Sequence, residues 1–345
     1  RGVWILGMLG VSAVAGFTLF AMRAGSLGEG DGFEPTSREA FIGANNLLLA
    51  ACAGVVLVGT LYPLFLDMFG GATISVGPPY FDAAATPLLI AAAVLMPIAP
   101  FLPWANGGAK PGLKQMKAAA LLIPVAAGAG LFIYAGAPVL AVIGGAVGLW
   151  AIAGAIMDAL AALPNARARG ARLAAAGRAL AHAGVGFIAL GAAADASRPP
   201  DVNTALAPGE SLSVAGRVVT LEGVRRADGP NYMADRAEMR VSGADTGRVA
   251  PERRFYMAAD QTTREVAIRS SITGDLYVSI GEARPREGAP PGYEVRAAFH
   301  PLIWALGTGA FLIVLGGALA LAGRLRAAAP VRGTTPAAMR AEAAE

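Results

Sequence analysis

The stretch AAAGRALAHAGVGFIALGAAA, Ala174 to Ala194, reads as a membrane-spanning helix. A span needs about 20 mostly apolar residues. Six further stretches meet that requirement: Gly2–Met22, Gly43–Leu66, Ala84–Leu102, Ala118–Tyr134, Pro138–Leu160 and His300–Ala322. The fourth and fifth spans in chain order are joined by the tight turn AGAP, Ala135 to Pro138, which predicts a helical hairpin. A chain that is 55% hydrophobic and 15% charged fits a polytopic membrane protein and excludes an ordinary soluble enzyme.

The loops orient the spans. Arg23 and Arg38 follow the first span, Lys110, Lys114 and Lys117 the third, Arg167, Arg169, Arg172 and Arg178 follow or flank the fifth, and Arg324, Arg326 and Arg332 follow the seventh. The loop from Asp67 to Ala83 has no Lys or Arg, and neither has the AGAP turn. Lys and Arg mark the cytoplasmic side, so the N-terminus is expected outside and the C-terminus inside. The net charge of +4 therefore needs no nucleic-acid partner; the bilayer is partner enough. The single cysteine, Cys52, lies in an apolar run and reads as a small buried hydrophobe. The chain has neither a C-x-x-C pair nor a C-x-x-C-H motif. It opens on Arg1, and Gly2–Met22 is too long for a signal-peptide core, so a start in mid-protein after earlier spans is expected.

Between the last two spans the periodicity changes. SLSVAGRVVTLEGVRR, DRAEMRVS, EVAIRS and DLYVSIGEA alternate apolar and polar residues and are bounded by Gly, Pro and Asp turns. They predict a small antiparallel sheet or barrel. The expected organisation is residues 1–194 as six spans, 195–299 as an outer all-β domain, 300–323 as the last span and 324–345 as a cytoplasmic tail, disordered from Pro330 onward. Gly144 and Gly148, and Gly316 and Gly317, are small residues that let helices approach closely in lipid.

His182 is the ionisable residue deepest in its span, roughly 12 Å from the cytoplasmic start. Such a residue is a functional candidate by default. Arg178, Ala179 and Gly186 share its helix face, and Gly186 is expected to leave room for a flat ligand. A neutral imidazole that ligates a metal or haem iron, a hydrogen bond to a neighbouring helix, and a proton relay all stay open at this point. The other histidine, His300, is expected as an interfacial residue at the outer end of the last span. Two imidazoles on one iron place their nitrogens about 4 Å apart. His182 lies roughly 18 Å below the outer end of its own span, so the pair cannot share one iron.

Several motifs occur in order along nearly the whole chain: SREAFIGANNLLL (Ser37–Leu49), GTLYPL (Gly59–Leu64), ISVGPPYFD (Ile74–Asp82), GPNYMADRAEMRV (Gly229–Val241), ERRFY (Glu252–Tyr256) and TTREVAIRSSITGDLYVSIGE (Thr262–Glu282). Together they resemble the C-terminal half of the CcmF family, the membrane haem lyase components of system I cytochrome c maturation. The nitrite-reductase haem lyase paralogue is similar. The resemblance implies an enzyme component of the bacterial inner membrane. It takes haem from a CcmE-like periplasmic chaperone and joins the vinyl groups to the C-x-x-C-H thiols of an apocytochrome c, presented by a CcmH-like subunit. It also implies haem b as a structural cofactor between two transmembrane histidines, His182 in LAHAGVGF matching one of them.

Other family features do not occur here. The tryptophan-rich haem-handling segment, the two periplasmic histidines and the second transmembrane histidine belong to the N-terminal half of the family, so this chain alone is expected to be inactive. Tyr80 and Phe81, in the uncharged outer loop stiffened by Pro78 and Pro79, are expected either to wall a groove for haem or its chaperone, or to anchor the loop at the interface. The alternative function is a transporter or channel using His182 as a proton or ion site. That reading expects broken spans and several polar groups converging near the midplane.

Overall fold

The computed structural model describes residues 2–26, 34–68, 74–104, 137–286 and 288–328. Among these residues, six helical segments are long and apolar enough to cross a membrane. The protein is a multi-pass membrane protein. Helix α1 is Gly2–Ala24 and α2 is Arg38–Met68. The third span is broken into α3, Pro78–Ala84, and α4, Thr86–Leu95, followed by a 3-10 turn at Ala99–Phe101. Helices α5, Val139–Asn165, α6, Arg169–Ala196, and α7, Trp304–Ala328, complete the set. The expected span Ala118–Tyr134, the start of the turn after it and the tail from Pro330 lie outside the described residues.

Local chemistry sets the helix starts. Ser37 is almost fully buried, and its Oγ accepts a hydrogen bond from the Ala40 amide at 3.2 Å, capping α2. Proline occupies the first turn of α3 and of α4, where its missing N–H is no loss. This overturns the expected outer loop up to Ala83, because Pro78 starts a helix there instead of stiffening a loop.

Helix α6 lies between α5 and α7. Gly170, Gly177 and Gly184, seven residues apart, face Gly323, Gly316 and Gly309 of the antiparallel α7. A Cβ on Gly177 would come within 2.4 Å of the Gly316 carbonyl oxygen, and one on Gly184 within 2.5 Å of that of Gly309. On the other side of α6, a Cβ on Gly186 would stand 2.6 Å from the Gly148 carbonyl oxygen of α5. Two seams of backbone-to-backbone contact therefore hold the three helices. In lipid, where apolar surface gives no net drive between helices, such close approach supplies the packing.

Trp150 adds a fixed point between helices. It is 4% exposed, its Nε1 donates to the Val94 carbonyl at 3.1 Å, and Ile98, Phe101 and Met157 pack around it.

The segment between α6 and α7 is a two-sheet β-sandwich. One sheet has the order β1-β10-β9-β8, from Val202–Leu206, Ala289–Pro301, Gly274–Arg286 and Ala267–Ser271. The other runs β2-β3-β4-β6-β7, from Ser211–Val214, Arg217–Asp228, Met233–Gly243, Glu252–Tyr256 and Gln261–Glu265. The short β5, Gly247–Val249, pairs with β4. The pairings are antiparallel. Alternate residues of both sheets meet in the core: Val219, Leu221, Met239 and Val241 from one, Leu276, Val278, Ile280, Val295 and Ala297 from the other, all of them buried. The two-residue turn Ala215–Gly216 has both φ angles positive, 49° and 73°, as a tight hairpin between right-twisted strands requires.

Candidate functional site around His182

His182 is a half-buried residue in the interior of α6. At 100° per residue it stands about 160° round the helix from Gly184, on the far side from the α7 seam and near the edge of the α5 contact. Among the described residues, no hydrogen bond to its imidazole forms.

One turn away, Arg178 donates from Nε and Nη2 to the two carboxylate oxygens of Asp158 on α5, at 2.8 and 2.9 Å. Asp158 is 4% exposed. Near the end of the span expected at Pro138–Leu160, a carboxylate would be solvated or would cap the helix. The structure buries it instead, because α5 runs on to Asn165, about two turns further. The pair lies within electrostatic range of His182 and of Arg38. Arg38 itself is anchored to the carbonyls at the end of the third span: Ala99 at 3.0 Å, Leu102 at 3.1 Å and, at shorter range, Pro100. Its guanidinium also lies over the Trp104 ring, 5.0 Å from the centroid. Sequence reasoning missed this polar group. An acid in α5 and a base in α6, both inside apolar runs, were the available signal.

The structure corrects Gly186. The space beside this residue is filled by the backbone of α5 at Gly148 and Ile152, so its missing side chain serves helix packing and not room for a ligand. Tyr80 and Phe81 pack on a neighbouring helix. Their rings meet edge to face at 5.2 Å, and the Tyr80 hydroxyl donates to the Val55 carbonyl of α2 at 3.1 Å. A Cβ on Gly59 would fall 2.5 Å from the Tyr80 ring and 3.1 Å from that of Phe81. The two aromatics clamp α3 onto α2 at the glycine of GTLYPL.

His300 is not at a helix start. It closes β10, and α7 begins at Trp304. Its Nδ1 is 2.7 Å from Oδ1 of Asp195 near the end of α6, and its ring packs on Tyr277 with 4.7 Å between centroids. Asp195 is 13 residues along α6 from His182, about 20 Å of helix. The two histidines are thus separated in the fold. Cys52 is buried and free, as expected.

The fold defines a class: a multi-pass membrane protein with a β-sandwich inserted ahead of the final span and one histidine inside the spans. Residues 201–301 match the family described as the CcmF C-terminal beta-sandwich. The chain is 34% identical over 344 residues to the cytochrome c-type biogenesis protein CycK of Rhizobium meliloti, covering 96% of this chain and 50% of the relative. It is 32% identical over 328 residues to the cytochrome c-type biogenesis protein CcmF of Pseudomonas aeruginosa, covering 93% and 49%. A solved structure, the cytochrome c heme lyase CcmF, shares the fold with a TM-score of 0.70 at 22% identity, over 84% of this chain and 46% of that one. The chain spans about half the length of the curated relatives it matches. In sequence and in fold it is similar to CcmF-type cytochrome c biogenesis proteins, with residues 201–301 matching their C-terminal sandwich, as its motifs implied.

Proposed function

We propose that the chain acts as the C-terminal half of a CcmF-type haem lyase and that His182 is one axial ligand of a b-type haem between transmembrane helices. The reading rests on one observation: the histidine within the spans offers an imidazole with no hydrogen-bond partner among the described residues, in a chain similar to cytochrome c biogenesis proteins along 96% of its length. Asp158 uses both carboxylate oxygens on Arg178, so neither group competes for the imidazole. A ring nitrogen of neutral histidine is a common haem ligand. Bound there, the haem would supply a redox-active iron inside the membrane. His300 would not be a second ligand to that iron, because it is committed to Asp195, about 20 Å along α6 from His182.

In this reading the β-sandwich and the N-terminus face the periplasm and the C-terminus faces the cytoplasm, following the alternation of Lys and Arg. A CcmE-like chaperone delivers haem on the sandwich side. The complete lyase joins its vinyl groups to the C-x-x-C-H thiols of an apocytochrome presented by a CcmH-like subunit.

The test is a visible absorption spectrum of the protein purified with its N-terminal partner half. A b-type Soret band is expected in the unaltered protein, lost in His182→Ala and unchanged in His300→Ala. A band that survives His182→Ala and vanishes in His300→Ala refutes the assignment.

A further inference from the structure

The hairpin joining β8 to β9 ends in a two-residue tip, Ile272 and Thr273, between the paired residues Ser271 and Gly274. Ile272 is 85% exposed. The tip is nonetheless rigidly built. Ser271 Oγ donates to the Gly274 carbonyl at 2.7 Å and lies 3.0 Å from Thr273 Oγ1. The buried Arg217 donates to that same Thr273 oxygen at 2.9 Å, with its guanidinium 3.7 Å from the centroid of the Phe299 ring and paired to Asp245.

Two further bonds tie the tip to the entrance of the last span. The Trp304 indole N–H donates to the Ile272 carbonyl at 2.9 Å, and the Leu302 amide to the Thr273 carbonyl at 3.1 Å. Trp304 is the first residue of α7 and of the last span. A tryptophan at the end of a span sits at headgroup level, with its apolar ring toward the chains and its N–H toward polar groups. Here the polar partner is the hairpin tip itself. The tip is held at the depth of Trp304, and its isoleucine faces away from the sandwich core.

We infer that the β8–β9 hairpin tip is a membrane-contact site, and that Ile272 inserts into the headgroup–acyl boundary of the bilayer beside Trp304. The occupant is lipid because the tip is bonded to the first turn of a helix that continues into the hydrocarbon layer. Together with the chain connections to α6 and α7, the tip gives the sandwich a third point of support. It fixes the height and tilt of the domain over the membrane surface. The inference is independent of haem binding.

Site-directed labelling of the full chain in phosphatidylcholine nanodiscs tests it. A nitroxide is placed at Ile272→Cys in a Cys52→Ser background, with Asp228→Cys as the aqueous control. Asp228 ends β3, eleven residues and roughly 35 Å of strand from Arg217. The expected result is a label at 272 that collides with oxygen several-fold more, and with a water-soluble nickel chelate several-fold less, than the label at 228. A fluorophore at 272 should also be quenched by lipids spin-labelled near the headgroup. Equal accessibility of the two sites to the nickel chelate overturns the inference. So does protection from the chelate without quenching by labelled lipid, which would make the occupant a protein. Ile272→Trp repeats the quenching measurement with brominated lipids and no attached label.

Discussion

His300 Nδ1 and Asp195 Oδ1 lie 2.7 Å apart, joining the end of the last strand to the final turns of α6. Arg198 reaches the same aspartate at 3.2 Å, and the Tyr277 ring closes over the imidazole. This is the clasp between the sandwich and the bundle. Both side chains are largely sheltered, so the bond contributes on the order of 1 kcal/mol. In His300→Ala, hydrogen exchange should quicken at the end of β10 and in the last turn of α6, with no change in the sandwich core around Val278 and Val295. His300→Asn, which can still bond Asp195, should restore part of the protection.

The linker beyond that clasp carries a pH dependence. Asp201 accepts a hydrogen bond from Arg296 Nε at 3.1 Å, and this bond, reinforced by the charges of Arg296 and Arg198, holds its carboxyl below the usual carboxylate range despite partial burial. A depressed pKa in the folded state adds stability above the unfolded value of about 3.9, and that stability is lost as pH falls through the lower folded value. Arg296→Met should therefore lower the melting temperature of the sandwich at pH 7. The gap between the two proteins should shrink as pH drops below about 4. A gap that stays constant down to pH 2 would assign the loss to packing of the arginine stem and not to the ion pair.

Spans and strands were legible because length and period are local properties. VVTLEG and LYVSIG alternate, and Val219, Leu221, Leu276, Val278 and Ile280 lie in the buried core of the two sheets. What failed needed a neighbour. Pro78-Pro79 reads equally as a stiff loop or a helix start, and only packing of Tyr80 and Phe81 on Gly59 decides. An apolar run from Pro301 to Trp304 hid the end of a strand, so His300 was placed in a helix. A glycine one turn from a histidine can mean open space or a partner's backbone. For Gly186 it is the backbone of α5. The heptad of Gly170, Gly177, Gly184 and Gly191 was visible in the sequence, and its regular spacing marks the seam with α7.

That seam gives a sharp contrast between adjacent glycines. A Cβ on Gly316 would meet the Gly177 carbonyl at 2.5 Å and the Ala181 amide at 2.6 Å, whereas nothing lies within 4 Å of one on Gly317. Gly316→Val should separate α6 from α7 and cost on the order of 1–3 kcal/mol or more, as overpacking does. Gly317→Val should be tolerated. The level of folded protein in the membrane and its melting temperature in nanodiscs read the difference. Equal effects at the two sites would mean that the helices do not pack on this face.

The last prediction concerns the buried pair beneath His182. Asp158 is almost fully buried and Arg178 only partly so, with side-chain exposures of 6% and 42%. Removing one partner of a buried pair leaves a charge without compensation and typically costs about 3–5 kcal/mol, while replacing both by apolar residues is often neutral. Arg178→Met leaves the buried Asp158 carboxylate without its partner, so it should lower the stability of the bundle strongly. Asp158→Leu combined with Arg178→Met should recover most of that loss. If the pair also positions the α6 turn that carries His182, the double variant should remain folded yet show a shifted or broadened Soret band. A double variant that is stable with an unchanged spectrum would confine the pair to holding α5 against α6.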